Sequence, residues 1–274
     1  MHFDLIQSIS FAGDDLTPND DRGGSADALA WVIDGATDLG EPGLVGARGG
    51  AAWLAQEANL AFAAAGDDTI EAVCDMVVTR VARRFTAVRQ RAPQGAWELP
   101  SASFLAAQAV PGGLRFAWAG DCTALVKRGD RVERAGPCAD RRDEEVAHAA
   151  ALAAHGLARK QRPAPILESL REQRARPGRA VLGVDPQAVA PLAFATLPAM
   201  PGDELVLMTD GFAALIDQYR AFDPANMFAA LAEQGLAGPA ERLRAIEGAD
   251  ADCTRYPRFK ISDDATALWL RCAA

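Results

Sequence analysis

The chain contains 274 residues, half of them apolar, and carries a formal net charge of −9. This length and apolar content allow a large hydrophobic core, so we expect a single domain over residues 1–274. The acidic excess would repel a phosphate backbone, which argues against nucleic acid as a partner.

The N-terminal segment and the cysteines indicate the environment of the protein. The first residues, MHFDLIQ, contain no basic region, and no apolar run approaches ~18 residues. We therefore expect a cytoplasmic protein with no membrane partner, and we take a monomer as the default state. The cysteines are odd in number and form no Cys-x-x-Cys pair, which argues against a disulfide framework and a structural zinc site. They are Cys74, Cys122, Cys138, Cys253 and Cys272.

The first half of the chain predicts strands, then helices, then strands again. Apolar runs predict strands over residues 3–12 and 27–33. A helix is expected from Val45 to Ala65, and apolar residues at 3.6-residue spacing predict another over 70–88. From Ser101, short segments separated by Pro-Gly-Gly, Gly-Asp and Arg-Gly-Asp turns predict an antiparallel meander.

Residues 140–175 are charged and rich in alanine, and Pro163 and Pro165 interrupt them. They predict either a solvent-facing insert or a pair of helices. Three further strands are expected, in VLGVDP, near 189–197 and in DELVLMTDG. Helices follow at 223–234 and 238–247, and the last strand is ATALWLRC. This order predicts an α+β sandwich in which two sheets pack face to face with helices outside.

Aspartates occur where predicted strands end or begin, in Asn19-Asp20-Asp21-Arg22, Asp34-Gly35, Asp210-Gly211 and Ser262-Asp263-Asp264. A strand holds its terminal residue rigidly, and a following glycine lets the backbone approach an ion. Mg²⁺ and Mn²⁺ prefer oxygen ligands, and a two-metal site needs a shared carboxylate, for which Asp34 is the candidate. Any one of these Asp-Gly pairs could be an ordinary turn. Their combination with apolar strands, in one chain, favours a metal site.

The order of these motifs resembles the metal-dependent protein phosphatases of the type 2C family, from about Asp20 to Leu270. Five motifs follow the order of that family. They are Asn19-Asp20-Asp21, VIDG at 32–35, AGD at 119–121, LMTDG at 207–211 and Asp263-Asp264-Ala265-Thr266.

The resemblance implies a four-layer αββα sandwich with two antiparallel β-sheets flanked by helices. It also implies two Mn²⁺ or Mg²⁺ ions, one held by Asp34, Asp210 and Asp263. The other would be held by Asp34, the Gly35 carbonyl, and Asp20 or Asp21, directly or through water. The implied reaction is hydrolysis of phosphoserine or phosphothreonine on a protein substrate, by attack of a water that bridges the two ions.

Three positions depart from the family pattern. Leu16 lies near the place of an arginine that grips the substrate phosphate, and Arg22 or Arg48 could replace that arginine. Ala214 stands where many members have an aspartate, so a third metal site on Asp121 is expected to be weak or absent. Asp264 replaces a frequent asparagine, which keeps an oxygen donor.

Other chemistries find little support in the sequence. The Cys-x5-Arg spacing occurs only in a predicted helix (Cys74 to Arg80) and a predicted strand (Cys122 to Arg128), not in a loop, and neither a P-loop nor a G-x-S-x-G motif is present. His148 and His155 lie in the charged insert, where a solvated position is more common than a catalytic one. The alternative is a catalytically weak relative that binds a phosphorylated regulatory partner, since the expected arginine is missing.

Overall fold

The computed structural model describes residues 1–137, 140–159, 161–187 and 191–274. Its strands are β1 (His2–Phe11), β2 (Arg22–Ala26), β3 (Leu29–Gly35), β4 (Ser101–Val110), β5 (Gly113–Ala119), β6 (Thr123–Arg128), β7 (Arg131–Ala135), β8 (Leu182–Gly183), β9 (Ala193–Pro198), β10 (Glu204–Met208) and β11 (Ala265–Ala273). Its helices are α1 (Gly50–Ala63), α2 (Ile70–Val88), α3 (Asp140–Ala151), α4 (Ala164–Ala175), α5 (Asp210–Asp217), α6 (Pro224–Gln234) and α7 (Ala237–Ala249). Single 3₁₀ turns lie at Ala96–Glu98 and Ala153–His155.

The strands form two antiparallel sheets. One has the order β1-β11-β10-β6-β7, and the other has the order β2-β3-β4-β5-β9, with β8 paired to β4. Both terminal strands of the chain belong to the first sheet, where residues 2–11 of β1 pair with residues 265–273 of β11.

Three apolar clusters join four layers. Helices α1 and α2 cover the second sheet, where Trp31 and Phe62 stack with ring centroids 5.7 Å apart. The two sheets pack on each other through side chains such as Phe116 and Leu207. Helices α5, α6 and α7 cover the outer face of the first sheet, around Phe212. The predicted αββα sandwich is confirmed.

The segment from Ser101 to Ala135 differs from the prediction of one meander. Its first two strands, β4 and β5, belong to one sheet, whereas β6 and β7 belong to the other. The chain crosses between the sheets at Gly120 and Asp121. Gly120 has a φ of 93°, and a Cβ there would lie 2.1 Å from Ser103 Oγ, so only glycine fits this crossing. The crossing carries Asp121 to the end of the sandwich.

Two further differences concern strands. Strand β2 was not predicted because its sequence, RGGSA, contains two glycines, which are disfavoured in strands. It forms because all five residues pair with β3. The predicted strand near 189–197 is β9, and residues 188–190 lie outside the described part of the chain.

The insert at 140–175 is a pair of helices, which was one of its two predicted forms. His148 of α3 lies within hydrogen-bond distance of Ser169 Oγ (2.8 Å) and of Gln173 Nε2 (3.0 Å), both on α4. This histidine therefore joins the two helices rather than pointing into solvent. Across the described ranges, no helix is both long and apolar enough to span a membrane.

Candidate metal centre and active-site cleft

Three of the candidate aspartates meet at one edge of the first sheet. Met208, the last residue of β10, pairs with Thr123 of β6 and with Ala267 of β11. Because the sheet is antiparallel, the end of β10 lies beside the beginnings of β6 and β11. Asp210 follows β10, while Asp121 and Asp263 precede β6 and β11, so all three lie at the same end of the sandwich.

The second sheet brings Asp34 to the same end. Asp34 is the second-last residue of β3 and pairs with Ser103 of β4. Burial, followed by repulsion from Asp210 and then Asp21, raises the pKa of the Asp34 carboxyl well above its usual range. Asp34 therefore lies close to aspartates that come from both sheets.

The loop before β2 is held against both sheets by side-chain hydrogen bonds. Thr209 Oγ1 donates to Asp21 Oδ2 (2.7 Å) and accepts from the backbone N–H of Thr266 (3.0 Å). Asp264 accepts from the backbone N–H of Asp20 (2.6 Å) and of Gly13 (2.8 Å), using one carboxylate oxygen for each. Asp264 therefore braces the loop with two acceptor oxygens, whereas an asparagine side chain would offer only one.

Gly35 lies directly against this loop. A Cβ at Gly35 would be 2.9 Å from the carbonyl oxygen of Asp20 and 3.0 Å from its Cβ. The absence of a side chain thus lets the end of β3 approach Asp20. This contact brings together Asp20 and Gly35, two of the groups that the sequence assigned to the second ion.

The cluster carries more negative charge than its surroundings compensate. Burial and then the neighbouring Asp264 raise the pKa of Asp20 to about 7. Burial also raises the pKa of Asp21, against the hydrogen bond from Thr209, and burial with repulsion from Asp210 raises that of Asp121. Carboxylates that repel each other in a desolvated site favour the binding of cations.

Two buried carboxylate oxygens lack partners. Asp21 Oδ1 and Asp121 Oδ1 are both shielded from solvent, and neither accepts a hydrogen bond from the described residues. Leaving such an oxygen unpaired costs free energy, which a bound cation would recover. The donor set is made of oxygens, as Mg²⁺ and Mn²⁺ require, so the residues present fit these ions.

Basic side chains hold two of the proposed ligands. Arg142 Nη1 donates to Asp210 Oδ2 (2.7 Å), and Lys260 Nζ donates to Asp263 Oδ1 (2.5 Å). Burial alone would raise the pKa of Asp263, but Lys260 holds it below its usual range. Within the described ranges, no three acidic, histidine or cysteine side chains already form a metal-binding group. These two ion pairs would compete with a metal for Asp210 and Asp263.

Asp34, Asp121, Asp210 and Asp263 form the floor of a cleft of about 780 Å³, and the insert covers it, whereas Asp20 and Asp21 are not among the residues that line this cleft. Arg174 Nη1 donates to the carbonyl of Thr37 (2.7 Å), and Arg171 Nε donates to that of Leu39 (2.9 Å). Arg142, Arg162 and Arg174 all line the cleft. One side of the insert therefore faces the site, contrary to the solvent-facing form that was also predicted.

The arginines proposed from sequence to grip a phosphate do not line this cleft. Arg22 Nη1 donates to the Asn19 carbonyl (2.9 Å), and Arg22 Nε donates to Gln56 Oε1 (3.0 Å). Arg22 therefore joins the acidic loop to α1. Arg48 is absent from the described cleft lining, and Leu16 is 78% exposed. Sequence reasoning missed Arg142, Arg162 and Lys260, which belong to no motif.

The layered fold and the acidic cluster place the chain among metal-dependent hydrolases. The family model for Protein phosphatase 2C matches residues 13–246, so the chain belongs to this family of protein serine/threonine phosphatases. Enzymes of the family use two Mn²⁺ or Mg²⁺ ions. No curated protein sequence is similar enough to count as a match.

Solved structures of bacterial serine/threonine phosphatases share the fold. The Mycobacterium tuberculosis phosphatase PstP/Ppp aligns over 100% of both chains, with 14% identity and a TM-score of 0.60. The catalytic domain of PstP in complex with two manganese ions aligns over 100% of this chain and 99% of that one (15% identity, TM-score 0.57). MsPP from Mycobacterium smegmatis, in complex with cacodylate, aligns over 98% of this chain and 99% of that one, with 18% identity and a TM-score of 0.57.

Proposed function

We propose that this chain hydrolyses phosphoserine and phosphothreonine on proteins with two Mn²⁺ or Mg²⁺ ions held at the end of the sandwich. One ion would be held by Asp34, Asp210 and Asp263. The other would be held by Asp34, the Gly35 carbonyl, and Asp20 or Asp21. The observation that carries the proposal is the convergence of these carboxylates from both sheets, with buried oxygens left unpaired.

The residues of the chain hold and orient these ligands. When bound, the ions supply an activated water for in-line attack and neutralise charge on the phosphoryl oxygens. Thr209 and Asp264 keep the acidic loop against the strand ends through the hydrogen bonds described above. Asp121 could contribute to a third ion, but Ala214 lines the cleft without a ligand atom in its side chain, so that site would be weak.

The test of this function is metal-dependent turnover. Purified protein should hydrolyse a phosphothreonine peptide with added Mn²⁺ and lose that activity in excess chelator, while calorimetry reports Mn²⁺ binding. Undiminished turnover in chelator would refute the proposal, because no side chain is assigned as the nucleophile.

A second candidate is a catalytically weak module that binds a phosphorylated regulatory partner. Two observations favour it: no arginine stands at Leu16, and Arg142 and Lys260 hold two proposed metal ligands in ion pairs. Phosphopeptide binding and Mn²⁺ binding without turnover would support this module. Mn²⁺-dependent turnover would support the phosphatase.

A further inference from the structure

The basic side chains lining the cleft differ in whether they have partners. Arg142 pairs with Asp210, Lys260 with Asp263, and Arg258 with Asp250. Arg174 donates to a backbone carbonyl. Arg162 lines the same cleft and is half-buried, yet it makes no hydrogen bond or ion pair with any described residue.

The position of Arg162 is constrained by its own sequence. It precedes Pro163, which has a φ of −58° and caps α4, and Pro165 lies in the first turn of that helix. Proline fixes φ and restricts the residue before it, so the backbone at Arg162 has few alternatives. The prolines therefore restrict the backbone from which the Arg162 side chain extends.

Arg162 faces the metal-ligand end of the cleft. Burial lowers the pKa of its guanidinium, and the Asp263 carboxylate acts against that effect. The positive charge of Arg162 disfavours the charged forms of Lys260 and Arg174, so Arg162 lies near both of them in the cleft. The side chain is thus close both to the carboxylate floor and to the basic side chains of the insert.

A guanidinium that is partly desolvated and unpaired is costly unless an anion reaches it. Asp263 is already paired with Lys260, and no other described residue pairs with Arg162, so an anion that enters the cleft is a suitable partner. A phosphate monoester carries about two negative charges and oxygens that match the planar fork of arginine. A carboxylate offers the same bidentate geometry but only one negative charge, and chloride offers no acceptor oxygen.

We infer that Arg162 grips the phosphoryl group of the substrate and supplies, from the insert, the contact that the loop around Leu16 does not offer. The inference rests on the proposed function. It assigns Arg162 a direct role in substrate binding and no role in holding the metals.

The test compares Arg162→Ala and Arg162→Lys with wild type and with Arg159→Ala. Arg159 lies three residues away in the same insert, is exposed and does not line the cleft. Binding of inorganic phosphate to the Mn²⁺-loaded protein is measured by calorimetry. KM and kcat for a phosphothreonine peptide, Mn²⁺ affinity and thermal melting are measured alongside.

Arg162→Ala should weaken phosphate binding and raise KM by about 10- to 100-fold, as expected for loss of a charge-assisted hydrogen-bonded contact. Mn²⁺ affinity and melting should stay unchanged. Arg162→Lys should recover part of the loss, because it restores the charge without the fork. Arg159→Ala should match wild type.

Unchanged phosphate affinity in Arg162→Ala would overturn the inference, and so would a parallel loss of Mn²⁺ affinity, which would mean that Arg162 supports the metal site. A wild type that binds phosphate but has no Mn²⁺-dependent turnover would refute the proposed function alone. In that case, loss of phosphate binding in Arg162→Ala would still support the phosphate contact.

Discussion

The floor and the roof of the cleft are built in different ways. The floor consists of aspartates at strand ends, beneath which the two sheets bury continuous apolar cores. The roof consists of α3 and α4, where Ala149 and Ile166 are the apolar residues buried among those described. Polar contacts hold the roof, notably those of Arg174 and His148.

This difference assigns different tasks to the two regions. Asp34 lies in a strand, and the other floor aspartates lie within two residues of a strand end, so the floor suits ligands that must hold ions in a set geometry. The roof is positively charged where it meets the floor, so it suits the recognition of an anion that enters between them. Substitutions in the floor should therefore abolish chemistry, whereas substitutions in the roof should change affinities.

The largest effect is expected for Asp210→Asn. Asparagine keeps the size of the side chain and one oxygen donor but loses the charge that holds a divalent ion. Turnover should fall by more than about 100-fold and Mn²⁺ affinity should fall with it, while the fold is kept.

Calorimetry, kinetics and thermal melting should be compared with Asp130→Asn, an exposed turn residue remote from the cleft. Wild-type turnover and Mn²⁺ affinity in Asp210→Asn would show that Asp210 is a turn residue, and the floor would lose its proposed role.

A smaller effect of opposite sign is expected for Arg142→Ala in the roof. The guanidinium of Arg142 competes with a metal for Asp210, so its removal should tighten Mn²⁺ binding by roughly tenfold. Arg131→Ala is the matched control, since Arg131 pairs with Glu133 on the surface at 3.1 Å. Equal or weaker Mn²⁺ binding in Arg142→Ala, measured by calorimetry, would show that the ion pair does not oppose the metal.

The sequence predicts the floor better than the roof for a physical reason. An apolar strand that ends in Asp-Gly, as in VIDG and LMTDG, shows both the element and the residue at its end. No such local signal marks Arg142 or Lys260, whose partners lie on other elements. Their pairing depends on how the insert folds back over the sandwich. The place where the chain changes sheets, at Gly120, was hidden for the same reason, because Gly-Asp also reads as a hairpin turn.

A third prediction concerns the pH dependence of the metal-free acidic loop before β2, which contains Asp20. The pKa of Asp20 is about 7 in the folded state and near 3.8 when unfolded. The folded state therefore holds the proton more tightly, so this group contributes stability below about pH 4 that is lost as pH rises through 7. In chelator, the melting temperature of wild type should fall between pH 5.5 and 8 by a few degrees more than that of Asp20→Asn.

Excess Mn²⁺ at pH 8 should reverse this loss in wild type, because the metal replaces the proton. Asp15→Asn, an exposed carboxyl in the same loop, should behave like wild type. If Asp20→Asn and wild type show the same pH dependence in chelator, the Asp20 carboxyl is not desolvated beside Asp264 in the folded protein.

The smallest effect is expected for the thiols, which test whether the floor works through carboxylates alone. Cys122 follows Asp121 directly and is fully buried. Burial, with Asp34 and Asp121 nearby, raises the pKa of the Cys122 thiol well above its usual range, so it stays protonated and is a poor nucleophile. Cys74, Cys253 and Cys272 are also buried, and Cys138 lies outside the described residues. Iodoacetamide on the folded protein should therefore change Mn²⁺-dependent turnover by less than about twofold. Mass spectrometry of the modified sites, with unfolded protein as the fully labelled control, would show which thiols react. Loss of turnover in proportion to modification of Cys122 would place a reactive thiol in the floor and contradict a purely carboxylate site.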